Sequence, residues 1–161
     1  MFDCYAVVTP GIEKAVLAEL EELGAGSLRE EVGGFAFEAT LTQLMKLNLW
    51  SRTASRFLVR AGQFKATHLS ELERNAKRLQ WAGFIDPKRP VRVKVTCKKS
   101  KIYHSGAAAE RIARGMEQAL GVELSIAAGE MDDAEFQLVM ARIENNRCVV
   151  SIDGSGAHLH R

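Results

Sequence analysis

Apolar and polar residues alternate loosely over Phe2–Val8, which predicts a strand. Thr9 and Pro10 then predict a helix start, with Thr9 as cap and Pro10 at the first position. Ile12, Val16, Leu20 and Leu23 line one helical face, and Gly24 ends it. Leu28–Val32 reads as a strand, Gly33-Gly34 as a hairpin turn, and Phe35, Phe37 and Ala39 alternate after it. Thr40 with Gln43 forms a capping box for a helix from Leu41 to about Ser51, and Arg56–Phe64 predicts the next strand. Ser70 with Glu73 predicts a second capping box, for a helix with Leu69, Leu72, Ala76 and Leu79 on one side. Pro87 and Pro90 break the chain before Val91.

From Val91 the pattern changes character. Val91, Val93, Val95 and Cys97 alternate with Arg92, Lys94, Thr96 and Lys98, so one strand face is apolar and the other largely basic. A turn of Lys98, Lys99, Ser100 and Lys101 leads to Tyr103 and His104. Ser105 is then the expected cap of a helix that keeps Ala109, Ile112, Met116 and Ala119 on one side and stops at Gly121. Val122–Ile126 reads as a short strand and Ala127–Asp133 as a loop. Phe136–Ile143 is apolar on both faces, as in a central strand, and Asn145-Asn146 turns it back into Arg147–Ile152. The first half has the order β-α-β-β-α-β, a ferredoxin-like arrangement ending near Ala66. The expected fold class is α+β, with one domain over 1–66 and a second over 67–161.

Charge sharpens this division. The 161 residues carry 22 Lys and Arg against 20 Asp and Glu, a net of +2. The balance conceals two halves: residues 9–38 hold seven acids and two bases, whereas Lys88–Arg114 holds nine bases and one acid, Glu110. Basic runs are usually solvated surface, but a basic half with little acid favours a polyanionic partner. Arg111 and Arg114 lie on neighbouring positions of the helix's polar surface. Lysines, hydroxyls, an aromatic ring and a helix start at one turn are the parts of a phosphate-backbone site.

Other chemistry is weaker. Cys4, Cys97 and Cys148 fit neither a disulfide framework nor a zinc pattern and read as reduced, mostly buried thiols of a cytoplasmic protein. No apolar run is long enough to span a membrane, and the first residues lack signal-peptide character. Ser151-Ile152-Asp153-Gly154-Ser155-Gly156 suggests a cofactor-binding crossover, but a third glycine is missing and five residues follow Gly156. A glycine turn closing a hairpin is the simpler reading. His158 and His160 share a strand face without a third metal ligand nearby, so phosphate contact or plain surface is expected of them. Glu130, Asp132 and Asp133 read as a solvated turn, and Trp50 and Trp81 as core. No catalytic residue and no metal site is expected.

The chain also resembles a known family. Thr9-Pro10-Gly11-Ile12-Glu13, Leu20, Leu23-Gly24-Ala25, Gly33-Gly34 and Phe37 look like the start of the THUMP-containing RNA methyltransferases. Asn48-Leu49-Trp50-Ser51-Arg52-Thr53-Ala54-Ser55-Arg56 is the most specific match, and Ser151–Gly156 with Leu159-His160-Arg161 the second. The resemblance covers essentially the whole chain. It implies an N-terminal ferredoxin-like domain followed by an α/β THUMP domain, which together hold structured RNA, either ribosomal or transfer. It also implies a C-terminal domain, absent from this chain, that methylates guanine N2 with S-adenosylmethionine; no cofactor is expected in the chain itself. The ribosomal branch often carries Lys-Asp-Ala early in the helix after the basic turn, where this chain has Ala107-Ala108-Ala109, so a tRNA substrate stays open. The RNA-contacting residues expected are Arg92, Lys94, Lys98, Lys99, Ser100, Lys101, Tyr103, His104, Ser105, Arg111, Arg114, His158, His160 and Arg161. Rival readings are the binding region of a tRNA thiolation enzyme, a ferredoxin-like protein-interaction domain, and a free-standing methyltransferase.

Overall fold

A computed structural model describes residues 1–127 and 136–154. The expected Ala127–Asp133 loop, with Glu130, Asp132 and Asp133, falls almost wholly outside them, as do His158, His160 and Arg161. The chain divides into two compact units, Met1–Arg60 with Asp153 onward, and Ala61–Ile152.

The first unit holds β1 (Phe2–Val7), α1 (Glu13–Glu22), β2 (Gly26–Glu31), β3 (Gly34–Ala39), α2 (Leu41–Trp50) and the first half of β4 (Arg56–Lys65). Its strand order is β2-β3-β1-β4. The strands are antiparallel, with Cys4 opposite both Phe37 and Val59. That is the ferredoxin-like arrangement expected from the periodicity. Cys4, Ala6, Val16, Leu20, Phe35, Phe37, Leu44, Leu47, Phe57 and Val59 are buried. Phe37 and Phe57 meet edge to face at 6.1 Å. Gly34 is fixed by register: a Cβ there would lie 1.9 Å from the Ala6 carbonyl oxygen.

The second unit adds α3 (Leu69–Lys77), a short 3-10 turn (Trp81–Gly83), β5 (Val91–Lys98), α4 (Ser105–Leu120), β6 (Gln137–Glu144) and β7 (Arg147–Asp153). Here the strand order is β4-β7-β6-β5. β5 runs parallel to β6 with α4 as the crossover, and β6 and β7 form an antiparallel hairpin. Asn145 and Asn146 turn that hairpin with φ of 51° and 62°, the left-handed geometry that favours asparagine. Leu72, Ala76, Trp81, Ile112, Met116, Val139, Ile143 and Val150 share one buried cluster. Gly115 lets α4 lie directly on α3, since a Cβ there would be 2.7 Å from the Glu73 carbonyl oxygen. Buried Gln137 accepts from the Asp86 N–H at 2.8 Å and donates to the carbonyls of Asp86 and Arg89, fixing the loop that delivers the chain to β5.

Several local expectations are corrected. Thr9 does not cap α1: Gly11 takes φ +102°, so Pro10-Gly11 is a turn, and the Thr9 hydroxyl lies 3.1 Å from that of Ser55. Ser70 does not cap α3, which begins at Leu69 with His68 in the cap position. Ser105 is the first residue of α4, and His104 caps it. No strand forms over Val122–Ile126; Ile126 makes a single bridge to Val91. Trp50 is 58% exposed, whereas Trp81 is 1% exposed and donates to the Ala76 carbonyl at 2.7 Å. Gly154 does not close a hairpin; its N–H bonds the Phe57 carbonyl beside β4. The capping box of Thr40 and Gln43 is present.

Candidate nucleic-acid interface

The basic strand forms as its alternation requires. Val93, Val95 and Cys97 pack against the buried cluster that includes Ala108, Ile112 and Met116 of α4. Lys94, Thr96 and Lys98 therefore project from the opposite face of the sheet, and all three are exposed. Arg92 shares their parity and is half-buried.

The turn after β5 is tied down. Lys99 sits at φ 48°. The Ser100 hydroxyl donates to the Lys98 carbonyl at 2.9 Å and accepts from the Asn146 N–H at 3.0 Å. The Lys101 N–H donates to Asn146 Oδ1 at 2.9 Å, and the Asn146 carbonyl accepts from the Ala66 N–H at 2.9 Å. Asn146, at the tip of the β6–β7 hairpin, thus holds both the basic turn and the end of β4. Ser100 is engaged in this network, while the side chains of Lys98, Lys99 and Lys101 are exposed.

Next come Tyr103, 84% exposed, and His104. The His104 Nδ1 accepts from the Ala107 N–H at 3.0 Å. Ser105 and Gly106, the first two residues of α4, are exposed beside it.

The structure does not bring every expected residue together. Arg111 and Arg114 ride on α4, in the helix layer on the core side of the sheet, away from the face of Lys94 and Lys98. Arg111 is also paired with Glu73 of α3 at 3.8 Å, and Arg114 is exposed.

Three cations that the sequence pattern does not single out lie on the same sheet face and at the same edge as the basic turn. Lys98 stands opposite Glu144, and Glu144 opposite Arg147. Arg147 reaches Gln63 of β4 at 3.4 Å. Arg142 is two residues before Glu144, on the same face, and pairs with it at 2.8 Å. Lys65 shares the parity of Gln63 and is exposed. These residues are scattered along the sequence, with Glu144 among them, so only strand register reveals the cluster.

The two motifs that carry the family resemblance do different work. In the first unit, Glu19 of α1 accepts from the Ser51 hydroxyl at 2.7 Å, the Arg52 N–H at 2.7 Å, the Thr53 N–H at 3.2 Å and the Thr53 hydroxyl. Burial alone would raise its carboxyl; these bonds outweigh burial and hold it below the ordinary range. Asn48 donates to the carbonyls of Leu44 and Gly154, and Arg56 pairs with Asp153 at 3.5 Å. Residues 48–56 are thereby a clamp that joins both motifs. Burial pushes the thiols of Cys4 and Cys148 up to about 12, so neither is a nucleophile. Among the described residues no group of three or more His, Cys, Asp and Glu is placed to hold a metal, and no helix is long and apolar enough to cross a membrane.

Comparison with known proteins agrees with this architecture. Residues 3–58 match the family model described as the RlmL ferredoxin-like domain. The chain is 28% identical over 158 residues to a "Putative RNA methyltransferase" of Synechocystis sp., covering 98% of this chain and 41% of that protein. It is 30% identical over 161 residues to the ribosomal RNA large subunit methyltransferase K/L of Cellvibrio japonicus, covering 98% of this chain and 21% of that one. It thus spans between about a fifth and two fifths of the length of these relatives. Among solved structures, a predicted N6-adenine-specific DNA methylase from Listeria monocytogenes superposes with a TM-score of 0.81 at 24% identity, covering 94% of this chain and 40% of that one. At that identity the likeness speaks to fold alone.

Proposed function

We propose that this chain, which carries an RlmL-type ferredoxin-like domain at residues 3–58 and is similar to RNA methyltransferases over nearly all its length, holds structured RNA for a catalytic domain encoded with it. On this reading the domains are the ferredoxin-like one over 1–66 and a THUMP domain over 67–161. The partner domain transfers a methyl group from S-adenosylmethionine to guanine N2 of ribosomal or transfer RNA, in the cytoplasm.

The observation that carries the reading is the basic turn. Lys98, Lys99 and Lys101 extend into solvent from a backbone fixed by Asn146, next to an exposed tyrosine and a capped helix start. A fixed backbone lowers the entropy lost when the lysines meet phosphates. Phosphate neutralisation releases counterions, so affinity falls steeply with salt. Tyr103 offers a face for an unpaired base or a terminal ribose, and Ser105 with the first helical N–H groups offers donors to a phosphate. His158, His160 and Arg161 belong to the same proposal as phosphate contacts.

The test is a binding isotherm with structured RNA at two salt concentrations. Wild-type chain binds, and the triple substitution of Lys98, Lys99 and Lys101 by Ala weakens binding to many RNAs and flattens the salt slope by up to about three, one for each lysine removed. A folded triple variant that binds like wild type overturns the reading. S-adenosylmethionine is expected not to bind this chain; micromolar binding by calorimetry would favour a free-standing methyltransferase.

A further inference from the structure

We infer that the RNA-binding surface is not confined to β5 and its turn but extends across all four strands of the second unit, with Lys65, Arg142 and Arg147 as additional phosphate contacts. This rests on the proposed function and specifies its site. Four observations converge. Lys65, Arg147, Arg142 and Lys98 come from β4, β7, β6 and β5, the spatial order of the strands. Each alternates with a residue packed on the core: Phe64, Cys148, Ala141 or Ile143, and Cys97. All four therefore occupy the face away from α4. Lys65, Lys98, Arg142 and Arg147 are exposed, and the one acid among them, Glu144, pairs with Arg142 at 2.8 Å, so four cations against one acid leave the patch with a net charge of +3. Finally, Asn146 joins the end of β4 to the basic turn, so the platform and the turn are one rigid edge.

Four neighbouring strands span about 14 Å, wide enough to meet more than one phosphate of a backbone laid across them. The ligand is accordingly the backbone of an RNA segment laid across the strands. The helix layer also carries exposed cations, Arg74, Lys77, Arg78 and Arg114, but there they lie among more acids: Glu71 and Glu73 on α3, Glu110 and Glu117 on α4.

The experiment uses the chain itself with two probes, an unmodified tRNA transcript and a ribosomal RNA hairpin, titrated between about 50 and 200 mM salt. Lys65→Gln, Arg142→Gln and Arg147→Gln are combined in one variant. Arg74→Gln, Lys77→Gln and Arg78→Gln, exposed at the end of α3, make a charge-matched control. Circular dichroism checks that both remain folded. The sheet variant is expected to weaken binding at least about ten-fold and to flatten the salt slope by about two, whereas the control changes affinity less than about two-fold. Arg142→Lys with Arg147→Lys keeps both charges and is expected to restore the slope.

If the sheet variant binds like wild type while the Lys98, Lys99 and Lys101 triple variant does not, the turn alone is the site; this inference falls and the proposed function stands. If the control loses as much as the sheet variant, the effect is diffuse charge, and the inference falls again. If the wild-type chain binds neither probe, the proposed function falls and takes the inference with it.

Discussion

Two loops of this protein are each held by one residue, and they leave their polar groups in opposite states. In the first unit, Glu19 gathers Ser51, Arg52 and Thr53, and its carboxylate is consumed by the fold. In the second, Asn146 gathers Ser100, Lys101 and Ala66 through a neutral amide and its backbone. The charges of that loop stay on the lysines and face water. A charged anchor commits its charge to its own loop, because a half-buried carboxylate is held by several donors at once. A neutral anchor leaves the field of the surrounding cations intact for a ligand. Loop chemistry in the first unit is thus structural, and loop chemistry in the second is available for binding.

The largest expected effect tests the first half of that contrast. Glu19→Ala strips four donors of their acceptor and is expected to cost about 3 kcal/mol of stability, measured by urea unfolding, with RNA affinity of the folded chain unchanged. Weaker RNA binding at undiminished stability would reverse the contrast. The pH dependence has a definite sign. The folded-state pKa of Glu19 lies below the ordinary value of 4.5. Its contribution is present above that value and is lost as pH falls through the lower folded-state pKa. The stability gap between wild type and Glu19→Ala should therefore narrow in acid.

The second expectation is the mirror image. The Lys98, Lys99 and Lys101 triple variant binds RNA about 100-fold more weakly at low salt but changes stability by less than about 0.5 kcal/mol per site, since exposed lysines contribute little to folding. A smaller effect is expected at the anchor between them. Asn146→Gly keeps the positive φ but removes the acceptor for Lys101, so it should cost about 1 kcal/mol and weaken RNA binding several-fold through a looser turn. Lowered affinity with an unchanged salt slope would identify Asn146 as a positioning residue; a slope that drops with it would mean that the turn's lysines no longer reach their phosphates. The smallest effect is the control. Glu21→Gln with Glu22→Gln, both exposed on α1, should leave stability within about 0.5 kcal/mol and affinity unchanged or slightly raised. Glu19 does not belong in that control, although it looks like its neighbours in sequence.

The ferredoxin-like order, the capping box at Thr40, the Asn145-Asn146 turn and the alternation of β5 were all legible along the chain. Each depends on residues within one element or one turn, where backbone sterics and side-chain period act locally. The basic run of Lys98–Lys101 was legible for the same reason. What stayed hidden depends on residues distant in sequence. Trp50 ends an apolar-looking helix yet is exposed, and Glu19 sits among solvated acids yet is held by a loop more than thirty residues away. His104 displaced Ser105 as the cap because its ring nitrogen reaches the Ala107 N–H from one position earlier. Lys65, Arg142 and Arg147 are isolated along the chain and become neighbours of Lys98 only through strand pairing. Sequence by itself set most of the elements and the sign of the charge. Tertiary structure decided which charges share a face, because that is a matter of register between strands, and register is fixed by the packing of the other face.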